Sequence, residues 1–334
     1  FWFGGGNALE DASGRIWLVG RYRNFGDSRT GVAAGDRGLE LALFCSTDQG
    51  KSFQKARAWS KADLSHDGQE VVSIEGAAIH LTQEGNAELY VSTEKDIAYP
   101  ADLDEYRKPG TGVWSIDYMA ASTFAALDAA SLRPTLAVAP TPEYLHVKDP
   151  VVWRGEAGET LMLFADHPFT WSAMNTGYAT RSPNGGGFEL RCWELVRRGP
   201  AWDVAGTRIT GRLLLPQVGA FQQQAPLALY FYDGLECYRA HEQNPHAVHR
   251  PRGYSCEELG GGMYGAPADF PRMSRLSRLA PLFVSPHGTG CSRYVDVLSL
   301  PEGLLATWQQ SQPDKSQPLV ANFVANEEIE ALLS

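Results

Sequence analysis

Short apolar runs, four to nine residues long, alternate along the chain with breaks rich in Gly, Pro, Asn and Asp. Runs of that length bounded by turn residues predict β-strands, because a strand needs only a few Val, Ile, Leu or aromatic positions before the chain reverses. The pattern predicts strands over 14–21, 39–46 and from 53; over 73–81, 87–93, 112–122 and 135–138; and over 147–153, 160–165, 177–181 and 188–196. Weaker copies follow near 207–232 and 285–308. Helical signal is confined to short turns over 118–130 and 327–333. The stretch 233–281, with Pro245, Pro251, Gly260-Gly-Gly262 and Pro267, breaks the rhythm and predicts a long irregular loop folded over a functional site.

The strand groups recur at intervals of roughly 60–80 residues, a repeat long enough for one four-stranded blade with extended loops. Each group opens on a polar residue before its first apolar strand: Asn7, Glu75, Asp149, Arg208 and His287. The architecture this predicts is all-β, a single five-bladed β-propeller over 1–334, closed by pairing of the two chain ends; a six-bladed propeller is the alternative. First strands of all blades then meet at one axis, so residues far apart in sequence line one funnel.

No linker or charge block divides the 334 residues. Lys and Arg number 29 against 39 Asp and Glu, and the net charge of −10 repels nucleic acid and anionic membranes. The five cysteines, Cys45, Cys192, Cys237, Cys256 and Cys291, are too dispersed for a Cys-x-x-Cys metal site, and no apolar run reaches the length of a membrane span. The compartment stays open between cytoplasm and periplasm or exterior, as does the oligomeric state.

Glu75 and Asp149 occupy equivalent positions in two well-formed repeats. Two carboxyls facing each other across a funnel, one protonated and one ionised, are what cleavage of a glycosidic bond requires. The expectation is that Glu75 is the general acid, its pKa raised by burial beside a second carboxylate. Asp149 is then an ionised partner held by Arg208 more than by its neighbour Lys148. Glu236 is the third candidate carboxylate. Asn7, Arg23, Lys148, His167, Arg208, Tyr254, His287 and Arg293 are candidate substrate-binding residues, and the arginines suit a sugar carboxylate held in bidentate fashion. Trp171 offers a face for sugar stacking, whereas Trp153 suits the core. Ser46-Thr-Asp48-Gln-Gly50-Lys-Ser52-Phe53 fits the Asp-box pattern, a peripheral turn of propellers.

Val147-Lys148-Asp149-Pro150 resembles the Arg/Lys-Asp-Pro motif of five-bladed propeller glycosidases of the invertase and arabinanase/xylosidase clans. Ser73-Ile74-Glu75-Gly76 resembles their Glu-Gly-Pro acid motif, and Glu236-Cys237 the Glu-Cys pair of the invertase clan. Here the Glu motif precedes the Asp motif, the reverse of the order in those families. The resemblance implies a glycoside hydrolase acting on an oligo- or polysaccharide, with no cofactor beyond a calcium ion that the family can place on the axis near a histidine such as His287. Exo action and an acidic sugar are the finer expectations. The Asp box and Gly253-Tyr254-Ser255-Cys256 resemble sialidases in part, which implies as alternatives a hydrolase with a Tyr254 nucleophile, a polysaccharide lyase, or a non-catalytic carbohydrate-binding propeller.

Overall fold

A computed structural model describes residues 2–23, 37–98, 101–106, 112–136, 144–167, 173–235 and 258–334. Five antiparallel sheets follow one another along the chain. Blade 1 holds β1 (Phe3–Gly4), β2 (Ala8–Glu10), β3 (Ile16–Tyr22), β4 (Glu40–Ser46) and β5 (Gln54–Ser60), with β1 and β2 sharing the inner edge against β3. Blade 2 is β6 (Val71–Leu81), β7 (Ala87–Lys95), β8 (Val113–Ala121) and β9 (Arg133–Leu136). Blade 3 is β10 (Val147–Arg154), β11 (Thr160–Asp166), β12 (Asn175–Arg181) and β13 (Glu189–Val196). Blade 4 is β14 (Gly206–Leu214), β15 (Ala228–Leu235), β16 (Glu258–Gly265) and β17 (Ser274–Arg275); blade 5 is β18 (Ser292–Leu300), β19 (Gly303–Gln310) and β20 (Leu319–Ala325), followed by α1 (Asn326–Leu333). The chain is a five-bladed β-propeller, as the repeat predicts, and not the six-bladed alternative.

Three local expectations change. Residues 118–130 continue β8 and then form two short 3-10 turns instead of a helix. Residues 258–265 are a strand, not part of an irregular loop. Its three glycines serve close packing: a Cβ at Gly261 would sit 2.6 Å from the Tyr232 ring, and one at Gly260 2.7 Å from Phe283. The chain ends do not share a sheet among the described residues, because the N-terminal strands are consumed by blade 1. Blades 5 and 1 are joined instead by side chains. The Ala8 amide donates to Asp296 Oδ2 at 3.2 Å, Gln49 reaches Glu302 at 2.7 Å, and Leu300 and Leu305 pack with Ala8, Ile16 and Leu18.

An innermost strand has one edge with no strand beside it, and its buried backbone groups need partners from elsewhere. Each neighbouring blade supplies them. Asn7 donates from Nδ2 to the Ile79 carbonyl at 3.0 Å and accepts from the Ile79 amide at 2.8 Å, spanning blades 1 and 2. Asp149 accepts from the Gly76 amide at 2.9 Å between blades 2 and 3. Thr176 accepts from the Ile209 amide between blades 3 and 4, and Thr210 donates to the Val295 carbonyl between blades 4 and 5. Apolar clusters fill the gaps between blades, among them Trp17, Leu41, Leu43, Ile79, Leu89 and Phe124 between the first two.

The Asp-box turn forms as its residue types dictate. Asp48 accepts from the Ser46 hydroxyl at 2.7 Å and the Ser52 amide at 2.9 Å, while Gln49 and Gly50 take positive φ of 62° and 80°. Phe53 packs with the blade 1–blade 5 cluster, so the motif is a peripheral staple.

Asn7→Ala leaves the Ile79 amide and carbonyl without partners and should lower unfolding stability by about 2 kcal/mol with the strand content unchanged. Urea unfolding checks this, and an unchanged midpoint would remove Asn7 from the ring of staples. A second prediction concerns Asp166, where burial, with Glu194 adding to it, pushes the carboxyl up to about 8. The native state then keeps a proton that the unfolded chain releases near pH 4, so the group costs stability progressively between about pH 4 and 8. Asp166→Asn should therefore gain stability relative to the native chain at pH 8 compared with pH 4.5. Equal differences at both pH values would show that Asp166 is ionised in the fold.

Candidate functional site

The inner strands all break their ladder at one level. Register shifts lie between Ile74 and Ala77 in β6, Lys148 and Val151 in β10, Ile209 and Gly211 in β14, and Arg293 and Asp296 in β18. In blade 1 the same level is the gap between β1 and β2. A bulge re-aims the side chains beside it. Asp149 and Tyr294 sit in these bulges with φ of 55° and 52°, a conformation that non-glycine residues hold only under surrounding constraint.

Arg208 is the centre of what converges there. It is 1% exposed, and its guanidinium meets Asp149 Oδ2 at 2.6 Å, Asp233 Oδ2 at 2.5 Å and Glu258 Oε1 at 3.3 Å, with the Tyr294 ring 4.0 Å away. Lys148 Nζ is 3.8 Å from Asp149, so Arg208 is the closer cation, as expected. The Tyr294 hydroxyl donates to Asp149 Oδ1 at 3.1 Å, and the Ser92 hydroxyl accepts from the Asp149 amide at 3.0 Å. Both oxygens of Asp149 are thus occupied. Burial opposes its charge, but Arg208, Lys148 and Arg21 outweigh that and hold the carboxyl far below its ordinary value.

Glu75 lies beside this group. Its Oε1 accepts from Arg37 at 2.7 Å and from the Ser73 hydroxyl at 2.9 Å, and Arg37 also pairs with Glu94. Its Oε2 is engaged only by Arg21, at 3.8 Å, among the described residues. The expectation of a raised pKa is corrected. Burial does raise it, but Lys148, Arg37, Arg21 and Arg23 prevail and hold Glu75 at about 2. The sequence suggests a second carboxylate as neighbour; the structure surrounds Glu75 with cations as well.

Glu258 completes the carboxylate set. It binds Arg293 Nη1 through Oε2 at 2.7 Å, and Arg293 and Arg208 overcome its burial to keep it at about 2. Asp233 differs. Burial pushes it up to about 6 against the pull of Arg208, and Glu258 adds to the rise.

Glu75, Asp149, Lys148, Arg208 and Arg293 are therefore brought into one cluster, and Arg23 borders it through its charge on Glu75. His167 lies at the rim, its ring stacked 6.1 Å from Trp114, over which Lys148 sits at 5.5 Å. Asn7 serves the blade 1–blade 2 staple. His287 is exposed on a turn that Ser285 and Thr289 tie to Ser311, and it is not drawn into the cluster among the described residues. Glu236, Tyr254 and Trp171 lie outside the described residues, as do Cys237 and Cys256. Trp153 packs against Tyr230 and Phe270, as its core assignment implies. The sequence reading passes over Arg37, Asp233, Glu258 and Tyr294; only the polar opening of the 258–265 strand signals one of them.

Beneath the cluster the five inner strands enclose an axial cavity of about 390 Å³, with Asp149, Arg208 and Tyr294 in its wall where those strands begin. Among the described residues no three His, Cys, Asp or Glu side chains gather to hold a metal ion, and no helix is long and apolar enough to cross a membrane.

No family model matches the chain, and no curated protein does. Solved structures do match over nearly its whole length. An endo-arabinase from Bacteroides thetaiotaomicron superposes with a TM-score of 0.60 at 9% identity, covering 97% of this chain and 94% of its own. A thermostable family-43 glycoside hydrolase gives 0.59 at 10% identity over 96% and 89%. A glycosyl hydrolase from Bacteroides ovatus gives 0.57 at 12% identity over 98% and 84%. The chain shares the five-bladed propeller fold of these glycoside hydrolases.

Proposed function

We propose that the chain is a glycoside hydrolase that cleaves sugars from the end of an oligo- or polysaccharide, with an acidic sugar as the preferred substrate. The observation that carries this reading is the gathering of Glu75, Asp149 and Glu258, from three blades, at the buried level where the inner strands bulge. The shared fold with glycoside hydrolases supports it.

The geometry separates the roles. Asp149, with both oxygens bonded, stays ionised and stabilises positive charge developing on the sugar ring. Glu75 Oε2 and Glu258 are the less encumbered carboxylates and form the acid/base pair. Glu236 remains the third candidate for that work. Both Glu75 and Glu258 are ionised in the free protein, so the acid takes up its proton only once sugar covers the site and strips water from it. An acidic sugar favours that uptake, because its own charge offsets the surrounding cations.

Glu75→Gln and Asp149→Asn should each reduce turnover at least ~100-fold while leaving the fold intact. Product chromatography over a panel of aryl glycosides and natural oligosaccharides, uronic acid glycosides included, checks this for the native chain and both variants. Folded variants with near-native turnover would place the chemistry elsewhere. Unsaturated products would replace hydrolysis by elimination, and binding without turnover would leave a carbohydrate-binding propeller.

A further inference from the structure

The ion pairs around Arg208 leave one side of the cluster with donors that nothing answers. Arg293 is buried, and only its Nη1 is engaged, by Glu258; its Nε and Nη2 find no acceptor among the described residues. Trp2, also buried, has an indole Nε1 in the same condition, as does Arg21 at Nε. Arg23 and Arg293 both approach the Trp2 ring, with guanidinium carbons 5.7 and 5.8 Å from its centre. A buried donor without an acceptor costs about 1–3 kcal/mol, and a native structure that keeps several together calls for a partner to receive them.

We propose that Arg23, Arg293 and Trp2 form a subsite for an oxyanion of the ligand, either the carboxylate of a uronic sugar or an inorganic phosphate. This rests on the reading of the funnel as a carbohydrate site and names the group it recognises. Guanidinium forks match the paired oxygens of carboxylate and phosphate, and the indole N–H adds a directed donor. Arg23 is the partly exposed member and gives the anion its way in.

The charge balance points the same way. Among the described residues Arg21, Arg23, Arg37, Lys148, Arg208 and Arg293 stand against Glu75, Glu94, Asp149, Asp233 and Glu258, and Asp233 is shifted toward holding a proton. Burial draws Arg23 down to about 10, and the like charge of Arg293 adds to this, with Arg21 and Arg37 contributing. An arriving anion relieves that repulsion. It also weakens the positive field on Glu75, which couples recognition of the anion to protonation at the neighbouring carboxylate.

Calorimetric titration of the whole chain with D-galacturonate, D-galactose and inorganic phosphate tests the subsite. D-galacturonate should bind at least ~10-fold more tightly than D-galactose, and Arg23→Gln and Arg293→Gln should each abolish that preference while leaving the weak binding of D-galactose unchanged. Arg23 is partly exposed, so its variant keeps the test informative if the buried substitution at Arg293 impairs folding. Phosphate that competes with D-galacturonate, together with sugar phosphate among the reaction products, would assign the subsite to phosphate as co-substrate. Competition with no sugar phosphate would assign it to the sugar carboxylate. Equal affinity for the acidic and neutral sugars with no phosphate binding, or a preference that survives both substitutions, would overturn the proposal. A chain that prefers the anion but cleaves no glycoside keeps the subsite and loses the proposed activity; cleavage of neutral glycosides without anion preference does the reverse.

Discussion

A guanidinium buried at the axis of a propeller is tolerable only if carboxylates surround it, and that requirement organises this molecule around Arg208. Removing a charge from water costs several kcal/mol, and the cost is offset only where geometry supplies close, hydrogen-bonded counter-charges. Arg208 has three, and they come from different strands: Asp149 from β10, Asp233 from β15 and Glu258 from β16. Asp149 in turn bonds the Gly76 amide of β6 and the Tyr294 hydroxyl of β18. One cation thereby ties blades 2, 3, 4 and 5 at a single level, and the same bonds fix the orientation of the groups that face the funnel.

The repeat of strands was legible because burial imposes it. Inner and second strands such as β6, β7 and β11 are covered on both faces and read as near-continuous apolar runs between turn residues. The polar residue opening a run was legible too, since Glu75 and Asp149 interrupt stretches that packing alone would fill with apolar side chains. The same reasoning failed at 258–265. Three consecutive glycines read as a turn, yet here they let a strand approach Trp202, Tyr232 and Phe283 closely. Composition cannot distinguish a glycine chosen for its backbone freedom from one chosen for its missing side chain.

Half of the site escaped the sequence for a related reason. Arg37 precedes a second strand, Asp233 ends one, and Glu258 opens a third strand, so none occupies the repeated position that singled out Glu75 and Asp149. Only the closed ring brings them to the axis. Closure was misjudged by the same limitation: a strand shared between the chain ends is one way to join the last blade to the first, but Asp296, Gln49 and the cluster around Leu300 and Leu305 do it with side chains. Pairing partners of that kind leave no periodic trace.

The reversal at Glu75 carries the most chemical weight. Two carboxylates seen alone in a sequence suggest mutual repulsion and a proton held between them. Six cations placed among five carboxylates produce the opposite field, and burial strengthens it because little water remains to screen the charges. A site built this way is set for negative charge before any ligand arrives. Its acid must therefore be created by the substrate, through exclusion of water and through whatever charge the substrate brings. That places specificity and proton transfer under one control, since the ligand that best satisfies the arginines also best enables a neighbouring carboxylate to hold a proton.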